Sequence, residues 1–170
     1  MTVGILVGNP KPRSRTYAAA QYVAAELAGE PPQVVIDLAD LGTCLLEPGA
    51  VEVDEVIEQI RSVDLLIVAS PTYKATYTGL LKLFADRLPP DALRDTVAIA
   101  LMLGAGPAHA LAPQLLLTPL LVELGASTPA AGLYLIDAEW QSSPLLSRWL
   151  SQTKTTLRGY DVLDRPRRSA

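Results

Sequence analysis

The sequence predicts an α/β domain built on a doubly wound, five-stranded parallel sheet in the order 2-1-3-4-5, with helices on both faces. Three observations carry that prediction. First, short and nearly unbroken apolar runs recur at residues 2–8, 63–69 and 95–103. Parallel strands buried on both faces read this way, whereas half-exposed strands alternate apolar with polar. Second, segments with apolar residues at helical spacing separate the runs, and each strand-helix-strand crossing is right-handed by default. Third, the loops after the first and third runs are long and rich in hydroxyls and cations. Those loops flank the switch point of such a sheet, at the carboxyl ends of the strands where ligands sit.

A chain of 170 residues is expected to form one domain. We assign it residues 1–160 and treat 161–170 as a short basic tail, with Arg165, Arg167 and Arg168 exposed to solvent. Apolar residues make up 49% and aromatic ones only 5%, so the core is expected to be Leu, Val, Ile and Ala. A net charge of −4 argues against a general nucleic-acid binder. The single cysteine, Cys44, excludes an intramolecular disulfide and a thiolate metal cluster, and fits a reducing cytoplasm. No apolar run approaches the roughly 20 residues that span a bilayer. The N-terminus enters a strand at once, without the pattern of a signal peptide. A cytoplasmic protein without membrane or nucleic-acid partners is therefore expected.

Residues 2–8 (TVGILVG) form the first strand, and a helical pattern follows with Tyr17, Ala20, Val23, Ala24 and Leu27. The loop between them, GNPKPRSRT, offers Ser14 and Thr16 as caps, an amide at Asn9, and cations at Lys11, Arg13 and Arg15. A helix N-terminus has free N–H groups and a favourable dipole, so this loop is an anion site in the making. It lacks both G-x-x-x-x-G-K-[ST] and G-x-G-x-x-G, which points to a phosphate monoester rather than a triphosphate or dinucleotide. Residues 33–38 (QVVIDL) give the second strand. Without the glycine fingerprint, Asp37 and Asp40 are not read as ribose ligands. Residues 41–52 are expected to be irregular, and residues 54–61 (DEVIEQIR) an amphipathic helix with acids in its first turn.

The central strand is residues 63–69. Gly79 opens a helix with Leu80, Leu83, Phe84 and Leu88 at helical spacing, stopped by Pro89 and Pro90. Between strand and helix lies SPTYKATYT, longer and richer in Tyr, Thr and Lys than most connections of its kind. With Pro71, Thr72, Tyr73 and Lys74 at its head, it suits a flat ring with polar edges. The fourth strand, 95–103, ends in GAGPAH, where Gly104 and Gly106 would let backbone approach a flat ligand. His109 is the only histidine, and is read as a contact to such a ligand rather than a catalytic base. Residues 111–125 are apolar nearly all round, a helix that a small domain covers by oligomerising, and Pro119 should kink or bulge it. Residues 127–136 supply the fifth strand and residues 145–157 the last helix, anchored by Trp149.

Residues 69–82 (ASPTYKATYTGLLK) resemble the flavin loop of the NAD(P)H-dependent FMN reductases, most closely the alkanesulfonate-type branch, which reads near A-T/S-P-x-Y-x-x-S/T-Y-S/T-G-x-L-K. The first loop is similar to the family's G-S-P-R-x-x-S-x-T, with Asn9 for the usual Ser, and the third to G-G-x-x-x-H, with Ala105 for the second Gly. The resemblance implies a flavodoxin-like fold. It implies that Asn9, Lys11, Ser14, Arg15 and Thr16 hold the FMN phosphate, and that Pro71, Thr72, Tyr73 and Lys74 line the ring. Gly104, Gly106 and His109 would contact flavin or nicotinamide. Hydride transfer from reduced nicotinamide to FMN demands stacked rings more than an acid or base, so no catalytic side chain and no metal is assigned. Reduced FMN would pass to a partner monooxygenase. The branch usually inserts an aromatic in the fourth helix, and residues 114–117 offer none, which leaves room for tighter FMN and a quinone-type acceptor. Lys11, Arg13 and Arg15 favour NADPH over NADH. The alternative is a flavodoxin-type electron carrier without pyridine nucleotide oxidation, against which those cations argue. A homodimer or homotetramer is expected.

Overall fold

The computed structural model describes residues 1–160 and Val162, so the arginines of the C-terminal stretch lie outside the described residues. Five strands, β1 (Val3–Val7), β2 (Val34–Asp37), β3 (Leu65–Pro71), β4 (Val97–Gly104) and β5 (Leu133–Ile136), form one sheet in the order β2-β1-β3-β4-β5. Every neighbouring pair is parallel. This is the order and direction expected from the sequence. β1, β3 and β4 are buried at every position, which is why they read as continuous apolar runs.

Helices α1 (Arg15–Ala28) and α5 (Pro144–Gly159) cover one face of the sheet, and their Ala19, Val23, Leu146 and Trp149 pack with Ile5, Ile67 and Leu101. Trp149 also donates its indole N–H to the carbonyl of Ala131 at 2.8 Å, so the anchor is polar as well as apolar. Helices α2 (Val51–Arg61), α3 (Gly79–Ala85) and α4 (Thr118–Glu123) cover the other face, where Ile57, Leu81, Phe84 and Leu121 meet Leu66, Val68 and Ala100. The expected alternation of five strands and five helices holds.

Four boundaries differ from expectation, each for a local reason. α2 starts three residues earlier than its acids suggest, at Val51, after two short 3-10 turns within Leu38–Leu46 that are separated by a kink at Gly42 (φ 52°), in a region partly read as irregular. α3 ends at Ala85 and buries Leu81, Phe84 and Ala85, while Leu80, Leu83 and Leu88 are only partly buried. The apolar segment 111–125 is not one α-helix. A π turn over Pro113–Leu117 precedes α4, with the Thr118 N–H and hydroxyl both donating to the Pro113 carbonyl. Pro119 has no N–H to give a carbonyl one turn back, and the helix widens just before it. β5 is shorter than residues 127–136. Only Ser127 bridges β4 before Leu133, because Pro129 cannot donate to a ladder and Gly132 turns its N–H to Gln114 Oε1 at 3.0 Å.

One joint positions the carboxyl ends of the central strands. The Gly8 N–H bonds the Ala69 carbonyl at 2.8 Å, tying the end of β1 to β3. Thr78 caps α3 by accepting from the Leu81 N–H, and its hydroxyl donates to the Gly8 carbonyl. α3 lies so close to Gly8 that a Cβ there would stand 2.5 Å from Leu81 Cβ. Gly8→Ala must therefore push Leu81 and α3 away from the end of β1. The expected loss is about 1–3 kcal/mol, the usual range for overpacking, read as a lowered midpoint in urea unfolding. A wild-type midpoint would show that α3 yields freely.

Candidate functional site

Three loops converge at the carboxyl ends of β1, β3 and β4. The first is shaped by its own polar side chains. Asn9, buried, accepts from the Lys11 N–H at 3.0 Å and donates an amide hydrogen to Thr16 Oγ1 at 3.2 Å. Ser14 caps α1, its Oγ accepting from the Tyr17 N–H at 3.2 Å. The N–H groups of Arg15 and Thr16 open the helix and have no acceptor within it.

The three cations of this loop have different fates. Arg13 adopts a left-handed backbone, φ 50°. Asp37 accepts from its N–H at 2.9 Å and its guanidinium at 3.1 Å, and Asp40 pairs with the guanidinium at 2.8 Å. The guanidinium also lies over the Tyr17 ring at 5.1 Å. Its pKa is raised, first by the hydrogen bond to Asp40, despite partial desolvation. Arg13 is therefore a strut that holds the loop against the end of β2, not a free cation for an anion or a nicotinamide phosphate. Arg15 pairs with Asp137 at 3.2 Å. Lys11 makes no ion pair among the described residues.

The second loop begins inside β3, since Pro71 is the last residue of that strand. Buried Ser70 accepts from the Thr78 N–H at 3.0 Å and so folds the loop back on its origin. Tyr73 and Thr76 exchange backbone hydrogen bonds at 2.9 and 3.2 Å around Lys74 and Ala75, whose φ angles are 51° and 71°. Two successive left-handed residues define a type I′ turn, made here without glycine and at a cost in backbone strain. Thr72 Oγ1 is buried with no hydrogen-bond partner.

The third loop is set by Tyr134 of β5, a residue no sequence motif singled out. Its hydroxyl donates to the Gly106 carbonyl at 2.7 Å, and a Cβ on Gly104 would overlap that hydroxyl. The glycine at 104 thus makes room for Tyr134. Gly106, by contrast, faces open space. His109 closes a 3-10 turn, Pro107–His109, and is exposed.

These loops enclose adjoining clefts. One, of about 270 Å³, is lined by Asn9, Lys11, Ser14 and Arg15 with Thr16, Pro71, Tyr73 and Asp137. A second, of about 550 Å³, lies beside it and is lined by Thr72, Gly104, Gly106, His109 and Tyr134. A third, apolar and about 410 Å³, shares His109 and is walled by Ala75, Leu111, Leu115 and Leu116. The candidate residues therefore fall into one polar and one flatter cleft. Lys74, at the tip of the strained turn, lines none of the three. Asp37, Asp40, Tyr134 and Asp137 were not assigned to the site from sequence. Asp137 had a readable signal, since it directly follows the apolar run of β5 at a strand's carboxyl end.

Comparison with known proteins agrees with this geometry. Over 152 residues the chain is 36% identical to an FMN reductase (NADPH) of Pseudomonas aeruginosa, covering 85% of this chain and 81% of that one. It is 34% identical to the NADH-dependent FMN reductase SfnF of Pseudomonas fluorescens, covering 79% of each. An apo crystal structure of an NADH:FMN oxidoreductase (EMOB) superposes with a TM-score of 0.83 at 29% identity, covering 94% of this chain and 89% of that one. Residues 1–141 match the family described as NADPH-dependent FMN reductase. The chain belongs to that family.

Proposed function

We propose that this protein is an NAD(P)H:FMN oxidoreductase, with residues 1–160 as one flavin-binding domain. The observation that carries the reading is the polar cleft at the N-terminus of α1 beside the flatter cleft at the ends of β3 and β4, Pro71 and Leu103 lining the first where Thr72 and Gly104 line the second. A phosphate-tailed planar ring suits such a pair. The Arg15 and Thr16 N–H groups, the Ser14 hydroxyl hydrogen and the Lys11 ammonium are donors for the tail. Thr72 Oγ1, buried and unpartnered, is a polar atom of the kind a ring edge satisfies. Thr72, Gly104, Gly106 and His109 line the ring cleft, Pro71 and Tyr73 line the polar cleft beside it, and Lys74 lines neither.

FMN, when bound, supplies the acceptor for hydride from reduced nicotinamide. The chain's own residues bind, orient and exclude water: its titratable groups need not gain or lose a proton for that chemistry. Reduced flavin leaving the site would serve a flavin-dependent monooxygenase, and flavin retained would serve a quinone-type acceptor. NADPH and NADH both remain candidate donors, because Arg13 is committed to Asp37 and Asp40 and only Lys11 stands free of ion pairs in that loop. Exposed Leu111, Leu115 and Leu116 form an apolar face beside the site. We assign that face to a homodimer or homotetramer. Among the described residues no helix is long and apolar enough to cross a membrane, and we place the protein in the cytoplasm.

Oxidation of NADPH and NADH, followed with and without added FMN, tests the reading. Activity that depends on flavin, added or co-purified, is expected. FMN binding with no nucleotide oxidation would instead indicate the electron carrier. Ser14→Ala should weaken FMN about ten- to a hundredfold, since a hydrogen bond to a charged group contributes roughly 1.5–3 kcal/mol. The lost cap should cost about 1 kcal/mol of stability, small enough to leave the fold intact. Thr72→Val separates binding from folding. Stability should stay within about 1 kcal/mol, because no hydrogen bond is removed, while FMN affinity falls. Unchanged FMN affinity in both variants would sink the cleft assignment.

A further inference from the structure

The polar cleft contains a carboxylate that a phosphate site does not call for. Asp137 extends from the end of β5 across the mouth of the first loop and holds the Arg15 guanidinium at 3.2 Å. Its backbone N–H bonds the Gly104 carbonyl at 2.9 Å, so its Cα is fixed by the sheet while its side chain stays 31% exposed. With Arg13 already held by Asp37 and Asp40, the loop's cations, Lys11, Arg13 and Arg15, are matched by three carboxylates, Asp37, Asp40 and Asp137. A loop built solely to retain a dianionic phosphate would leave Arg15 free and the cleft positive.

We propose that Asp137 is an affinity-setting residue that keeps FMN exchangeable. This rests on the FMN reading above. Asp137 acts in two ways of the same sign. It occupies Arg15, so the incoming phosphate must compete for the guanidinium. It also adds a negative charge to the cleft wall, which repels the phosphate directly. When flavin departs, Arg15 returns to Asp137 rather than to water, and the empty cleft loses no ion pair. The pair is solvent-exposed, so each effect is modest and sensitive to salt. The residue thus tunes the protein toward flavin as a travelling substrate rather than a fixed group.

The test is the dissociation constant of FMN, by flavin fluorescence, for the wild-type protein, Asp137→Asn and Asp137→Glu, with riboflavin as the ligand that lacks the phosphate. Asp137→Asn should tighten FMN about three- to tenfold, on the scale of one or two exposed charge interactions. Riboflavin affinity should not change, and the FMN gain should shrink in high salt. Asp137→Glu should bind as wild type does. Asp137→Ser is a second neutral variant should the amide disturb the strand end. FMN affinity that is unchanged or weaker in both neutral variants overturns the proposal, as does equal tightening of riboflavin, which would mark a change of cleft shape. Wild-type protein that binds no FMN overturns the function reading, and this inference with it. FMN binding that ignores Asp137 overturns this inference alone.

Discussion

The contact between α3 and Gly8 is the constraint on which the rest of the site depends. A parallel sheet aligns strand ends but leaves the loops beyond them free to splay. Here the last residue before the first loop is pressed against Leu81, bonded to Ala69 on one side and capped by Thr78 on the other. Thr78 serves two elements at once, stopping the second loop and fixing the start of the first. The start of the first loop and the end of the second are therefore tied to each other at Gly8 and Thr78. Chemistry that depends on ring placement needs this kind of rigidity more than it needs a titrating side chain.

Around that joint, the loops are built from compensating charges. Arg13 spans from the first loop to Asp37 at the end of β2 and to Asp40 just beyond it, and Arg15 spans to Asp137 at the end of β5. The two arginines thus lace the first loop to both edge strands of the sheet. Arg13 also bears a left-handed backbone that a non-glycine residue tolerates only when its surroundings hold it there. Its bonds to Asp37 do so from both the main chain and the guanidinium. The difference between the two arginines is exposure of the partner: the Asp37 side chain is fully buried, whereas that of Asp137 is 31% exposed. One pair is structural. The other is open to exchange.

Much of this was legible in the sequence, for physical reasons. Strands buried on both faces must be apolar throughout, so β1, β3 and β4 announced themselves, and their loops identified the switch point. A cap at Ser14 or Thr16 was readable because a hydroxyl before a helical pattern commonly serves so, and the structure uses Ser14. What stayed hidden was set by tertiary contact. Tyr134 looks like any strand residue until Gly104 is found beneath its hydroxyl, so the room that this glycine gives the tyrosine was not readable either. The partners of Arg13 lie at and just beyond the end of the neighbouring strand, more than twenty residues on in sequence, so three cations in one loop read as one positive patch when two of them were spoken for. Pro119 foretold a bulge, yet its position one turn upstream follows from the missing N–H and not from any residue at the bulge itself.

The segment with the π turn also bears on the shape of the site. Widening the helix at Pro113–Leu117 turns Thr118 inward to the Pro113 carbonyl and leaves Leu115 and Leu116 on the outside. A regular helix from 111 onward would rotate those leucines relative to Leu117 and Leu121, which are buried against the sheet. The bulge thus lets one apolar segment face two ways, toward the core and toward the cleft that His109 and Ala75 share with it. Ala75, which lines that cleft, sits in the left-handed part of its turn with φ 71°. Strain in the second loop and the bulge in the fourth helix therefore act together. They set an apolar wall beside the flatter cleft, with which it shares Pro107, Ala108 and His109, an arrangement that suits a broad ring whose charged tail lies in the polar cleft.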